Sequence, residues 1–114
     1  MSTIPFRSLT PSLAVAPQLT PESMTEAARL GFKSVINNRP DFEAGPEQPT
    51  SAQIEAAAEA AGLAYAHLPV APSYQSPEEI AAFAELLQEL PGPVLAFCRS
   101  GTRSARLFTE ANRL

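Results

Sequence analysis

Residues 91–105 read PGPVLAFCRSGTRSA, and the fold turns on how that stretch divides. Pro91-Gly92-Pro93 breaks any helix that precedes it. Val94-Leu95-Ala96-Phe97 has the length and composition of a short buried strand. Cys98, the only cysteine of the chain, follows directly. The next residues, Arg99-Ser100-Gly101-Thr102, are too polar for a core, and a helix is predicted to begin near Arg103. A lone cysteine after an apolar run is most often an inert core residue. Here the strand–turn–helix setting and two arginines make it a candidate nucleophile.

Working outward, the helix boundaries repeat. Thr20-Pro21-Glu22 predicts an N-cap with proline at the first helical position, in a helix reaching about Leu30 and stopped by Gly31. Thr50 and Gln53 predict a capping box opening SAQIEAAAEAAG, which ends at Gly62. Ser76-Pro77-Glu78-Glu79 repeats that logic before a helix with Ile80, Phe83, Ala84, Leu87 and Leu90 on one face. Each helix is followed by a short apolar run: FKSVIN, LAYAHLPV and PVLAFC. The last helix offers Ala105, Phe108 and Ala111 to a core. Two further runs, around Phe6–Leu9 and Leu13–Ala16, predict a small N-terminal β-ribbon. The alternation predicts one α/β domain over residues 1–114, a mostly parallel sheet flanked by helices on both faces.

Composition narrows the partners. The 114 residues carry a net charge of −4, which argues against a nucleic-acid surface. Lys33 is the only lysine, so the arginines read as placed anion contacts rather than a general cationic field. One cysteine admits no internal disulfide, which fits a reducing cytoplasm. The N-terminal stretch lacks the basic and apolar regions of a signal peptide, and no run reaches the length of a membrane span. His67 is the only histidine and no Cys/His cluster exists, so neither a metal nor another cofactor is expected.

In parallel α/β sheets ligands bind beyond the carboxyl ends of the strands. Three segments fall there: NNRPDF at 37–42, APSYQS at 71–76 and CRSGTRS at 98–104. A free thiol, with a pKa of ~8.5, is only roughly 3% thiolate at pH 7, and helix N-termini and nearby cations favour the ionised form. Cys98 is expected to have both aids, from the helix that follows and from Arg99 and Arg103. Gly101 lets the loop curl so that successive N–H groups of Arg99, Ser100, Gly101, Thr102, Arg103 and Ser104 face one centre as an anion nest. Ser104 is expected to cap the helix or donate to the sulfur.

Cys-Arg-Ser-Gly-Thr-Arg-Ser resembles the active-site loop of rhodanese-type sulfurtransferases, in which four residues separate cysteine and arginine. Over most of residues 10–106 the chain resembles another family more closely, the phosphatase-like domain of beta-lactamase-hydrolase-like proteins. LAVAPQLTPE, SVINNRPD, AEAAGLAYAHLPV and PGPVLAFCRSGTRSA carry that resemblance, in this order. It implies a fold like the dual-specificity protein tyrosine phosphatases and a catalytic loop cysteine. It also implies kinship with a domain often attached to a metal-dependent persulfide dioxygenase, which these residues do not include.

Protein tyrosine phosphatases place five residues between cysteine and arginine, usually with histidine before the cysteine. Here there are four, and Phe97 stands before Cys98. A shorter loop leaves less room for three equatorial phosphoryl oxygens and suits a persulfide. Such phosphatases also use an aspartate to protonate the leaving oxygen, worth about 10²–10⁴ in rate. PVAPSYQSP carries no carboxylate, and Asp41, the only aspartate, reads first as a turn cap after Pro40 and second as that acid. The expected activity is therefore sulfur transfer. Cys98 takes the outer sulfur of thiosulfate or a related sulfane donor as a persulfide and passes it to an acceptor thiol or cyanide. The alternative is a cysteine phosphatase with a phosphocysteine intermediate, acting on a small phosphate substrate. A third reading is a non-catalytic anion- or persulfide-binding module.

Arg39 reads as an added anion contact or as the partner of Asp41 or Glu43. Asn37 and Asn38 are expected to fix the turn after their strand. Tyr74 and Gln75 read as pocket rim or as exposed residues, and His67 as packed or surface. Arg106 reads as a solvated charge. Residues 40–49, PDFEAGPEQP, read as a surface loop, with a lid as the alternative.

Overall fold

The computed structural model describes residues 4–113. Its strands are β1 (Arg7–Thr10), β2 (Leu13–Ala16), β3 (Ser34–Asn37), β4 (Ala64–His67) and β5 (Val94–Phe97). They form one sheet in the order β1-β2-β5-β3-β4, parallel except for the antiparallel β1–β2 pair. The helices are α1 (Ser23–Arg29), α2 (Ser51–Ala60), α3 (Pro77–Glu89) and α4 (Thr102–Ala111).

The sheet is covered on both faces, as expected of parallel strands joined by helical crossovers. Ala14, Ala16, Val35, Leu95 and Phe97 pack with Met24 and Ala27 of α1 and Ile54 and Ala58 of α2. Leu13, Val15, Ile36, Val94 and Ala96 pack on the other face with Phe83 of α3 and Leu107 of α4. Successive strand residues therefore alternate between the two cores, the period-2 rule at work on a doubly buried sheet. The alanines of α2 include one fully buried at the sheet, Ala58, where a small side chain permits close approach.

The caps of α2 and α3 are those the sequence predicts. Thr50 accepts from Gln53 N and Ser76 from Glu79 N, each in a reciprocal capping box, with Pro77 in the first turn of α3. The start of α1 differs. Thr20-Pro21-Glu22 forms a turn, with Thr20 N donating to Ser23 Oγ at 3.1 Å, and the helix begins at Ser23. Thr20 is thus engaged with the side chain of Ser23 and does not cap. The N-terminal strand pair exists, but β2 is no mere ribbon. It is fully buried and pairs along its length with β5.

Register sets the site. Phe97 at the end of β5 is level with Ala16 of β2 and Asn37 of β3, and Asn37 with His67 of β4. Four chain segments therefore leave the sheet at one level, and Cys98 emerges at the centre. Gly101, at φ 91°, turns the chain into α4, and a Cβ there would sit 3.4 Å from the backbone of Ala16. Gly101→Ala combines a left-handed backbone with that close contact, and should cost on the order of 1–2 kcal/mol, read as a lowered urea midpoint.

Candidate active site

Cys98 is fully buried at the carboxyl end of β5. Its N–H reaches Ala16 O at 3.4 Å, and its sulfur accepts the N–H of Gly101 at 3.0 Å. The left-handed Gly101 is what aims that amide back at the sulfur. Arg99 O accepts from Gln18 N at 3.1 Å, tying the loop to the segment after β2. Ser100 donates to Thr102 Oγ1. Ser104 neither caps α4 nor bonds the thiol. Its hydroxyl donates to Asn38 Oδ1 at 2.8 Å, and Gly101 is the N-cap, without a side-chain bond.

Arg103, in the first turn of α4, is only 6% exposed. Its Nη1 donates to Glu43 Oε2 at 2.9 Å and to Val70 O at 3.1 Å, and its Nη2 to Glu43 Oε1 at 2.8 Å. Arg39 donates from Nε to the same Oε1 at 2.8 Å and from Nη1 to Gln18 Oε1 at 3.0 Å. Two guanidiniums thus share one carboxylate oxygen. The Arg103 bond leads in holding Glu43 below the usual carboxylate range, assisted by Arg39 and opposed by burial. The same pairing raises Arg103, with a smaller contribution from the neighbouring Cys98 sulfur.

These residues line an open cleft of about 610 Å³, walled by Arg39, Glu43, Ala44, Pro72, Arg99, Ser100, Thr102 and Arg103. Three arginines face one carboxylate there, so an acidic chain carries a local cationic focus. Of the accessory residues predicted from sequence, only Arg39 reaches the cleft. Asp41 accepts from Ser51 N at 2.8 Å at the start of α2, which is the turn-fixing role. Tyr74 is exposed outside the cleft walls. Gln75 is buried and bonds Ala71 O within its own loop. His67 Nε2 pairs with Arg39 O at 2.9 Å, and Arg106 is exposed. Gln18 and the bidentate role of Glu43 escape sequence reasoning, which saw Glu43 only as an Arg39 partner. The signal for Gln18 was its place just beyond a strand that pairs with β5.

Residues 5–113 match the family described as beta-lactamase hydrolase-like protein, phosphatase-like domain, and the chain belongs to it. It is 40% identical over 102 residues to a beta-lactamase hydrolase-like protein of Agrobacterium fabrum, a match covering 90% of this chain and 23% of that protein. The chain thus spans about a quarter of the length of such relatives. Among solved structures, a candidate phosphatase of Neisseria meningitidis superposes with a TM-score of 0.83 at 37% identity, over 95% of this chain and 74% of that one. TpbA of Pseudomonas aeruginosa, solved in complex with phosphotyrosine, shares the fold at a TM-score of 0.68 and 20% identity, over 94% of this chain and 61% of that one.

These findings overturn the expected sulfurtransferase, with its thiosulfate-derived Cys98 persulfide and acceptor thiol. The likeness falls on phosphatases. Loop length alone does not place the groups around the thiol: the left-handed Gly101 turns its N–H onto the Cys98 sulfur, and Glu43 and Val70 O hold the Arg103 head group.

Two measurements test this geometry. Ser104→Ala leaves the buried Asn38 Oδ1 without its donor and should cost roughly 1–3 kcal/mol in urea unfolding. Glu43 titrates lower in the folded than in the unfolded chain. Its stabilising contribution is therefore complete above the unfolded carboxyl pKa and is lost as pH falls through the folded value. Glu43→Gln should be less stable than wild type at pH 7, with the gap in urea midpoint closing in acid below the ordinary glutamate range.

Proposed function

We propose that this chain is a cysteine-based phosphatase domain acting on small or aryl phosphate monoesters through a phosphocysteine at Cys98. The observation that carries the reading is the donor balance of Arg103. Glu43 and Val70 O engage both Nη1 hydrogens and one Nη2 hydrogen. Nε and the second Nη2 hydrogen have no oxygen partner among the described residues. The guanidinium's further partner is the Cys98 sulfur, and a phosphate on that sulfur would meet this edge as the side-on pair for two of its oxygens.

The remaining roles follow from position. The first turn of α4 leaves N–H groups without helical acceptors, so those of Thr102, Arg103 and Ser104 are free to receive the equatorial oxygens. Gly101 N–H, already on the sulfur, stabilises the thiolate and later the departing sulfur. Arg99, Ser100 and Thr102 form the rim that admits the anion, and Arg39 adds positive charge from the β3 side. The phosphotyrosine complex of TpbA supports a phosphate ester as substrate class. The likeness of the Neisseria structure across nearly the whole chain supports assigning the activity to residues 1–114 as one unit.

Incubation with p-nitrophenyl phosphate should release phosphate, and acid quenching should trap one phosphate on Cys98 by intact mass. Cys98→Ser should abolish turnover, and vanadate should inhibit the wild type. An unmodified Cys98 with no phosphate release overturns the reading.

A further inference from the structure

Phosphoryl transfer from an ester with a basic leaving group needs a proton donor at the leaving oxygen. The loop at 71–76 holds no carboxylate. Asp41 is committed to the backbone of Ser51 and lines no part of the cleft. Glu79 is closed into the capping box of α3. Among the described residues Glu43 is the only carboxylate on the cleft wall. It sits on Arg103 Nη2, the atom whose second hydrogen faces the phosphate site proposed above.

On that phosphatase reading, we infer that Glu43 is the general acid, and that the substrate itself loads it with a proton. In the free protein Arg39 and Arg103 hold the carboxylate ionised, and an ionised group donates nothing. A phosphate on the Nε–Nη2 edge of Arg103 changes both terms. It draws on the same guanidinium, and it brings negative charge to within one donor nitrogen of Glu43 Oε1. Both effects favour the neutral carboxyl. The charged groups of the cleft, besides Glu43, are Arg39 from the end of β3, Arg99 from the loop and Arg103 from α4, and Arg103 also interacts with the Cys98 sulfur. Among the described residues no second carboxylate lines the cleft to compete for the proton. Glu43 lies on the loop between Pro40 and Pro49, with its side chain 22% exposed, so it can exchange protons with solvent.

The step balances. The Cys98 thiolate attacks phosphorus, the S–P bond forms and the P–O bond to the leaving group breaks. That oxygen takes the Glu43 proton and departs as an alcohol or phenol. Water then attacks phosphorus and gives a proton to the Glu43 carboxylate. The S–P bond breaks, restoring the thiolate and releasing inorganic phosphate.

The test compares phenyl phosphate, whose leaving oxygen needs a proton, with 2,4-dinitrophenyl phosphate, whose leaving oxygen does not. Glu43→Gln should lower kcat/KM, which reports only the steps through P–O cleavage, by about 10²–10⁴ for phenyl phosphate and leave kcat/KM for the activated ester within a few-fold. Glu43→Asp should recover part of the loss. Should Glu43→Gln not fold, the wild type decides. Its kcat/KM for phenyl phosphate should fall on the alkaline side with no matching fall for the activated ester. Equal losses on the two esters, or superimposable pH profiles, mean that Glu43 only positions Arg103 and overturn the inference alone. A wild type that turns over neither ester fails the phosphatase reading and takes the inference with it.

Discussion

Asn38 is the constraint on which the site depends. It is the first residue beyond β3, fully buried, and every polar group it owns is committed. Its N–H donates to Phe97 O at 2.8 Å, its O accepts from Val70 N at 3.1 Å, and its Nδ2 donates to Leu68 O at 2.9 Å. Its Oδ1 accepts the Ser104 hydroxyl. One residue, through backbone and side chain together, thereby ties the ends of β3 and β5, the segment after β4 and the first turn of α4. A buried amide that lost one of these partners would incur a desolvation penalty with nothing to offset it. The arrangement is therefore all-or-none, and it sets where Arg103 leaves α4.

Burial of Arg39 and Arg103 follows from that frame. A guanidinium at 6% exposure is tolerable only when its charge is opposed and its buried donors are met. Glu43 does both at once for two arginines, with Gln18 Oε1 and Val70 O taking further N–H groups. Removing Glu43 would leave two like charges converging on an empty space. The carboxylate is thus a structural member of the resting site before it is anything else, and a chemical role has to be compatible with that. In the role inferred above, the charge of a bound phosphate would supply that compatibility by taking over the neutralisation that Glu43 provides without it.

Most of the fold was legible because its signals are local. Capping boxes at Thr50 and Ser76, the stop at Pro91-Gly92-Pro93 and the apolar runs each act within a few residues. The strand–turn–helix around Cys98 was legible for the same reason: cysteine, glycine and arginine lie within six positions. What stayed hidden is what register and side-chain reach decide. Ser104 lies 66 positions from Asn38, and Arg103 lies 60 from Glu43. Nothing local distinguishes Glu43 from Glu47, four residues on and exposed. The start of α1 failed differently. Thr20 and Ser23 are both competent caps, and the competition between them cannot be settled without the geometry of the turn.

The choice between phosphorus and sulfur shows where counting residues ceases to be physics. The distance along the chain from Cys98 to Arg103 fixes how much backbone lies between them, and no more. A loop with one left-handed residue can direct its amides inward at either length, because Gly101 alone reverses the chain toward the sulfur. The arginine completes the cradle with a side chain, and a side chain is placed by whatever holds its head. Here that is Glu43 and the carbonyl of Val70, from two other loops. Arg103 is thus positioned by the segments after β3 and β4 as much as by its own loop, and on the proposed reading the width of the anion site depends on all three.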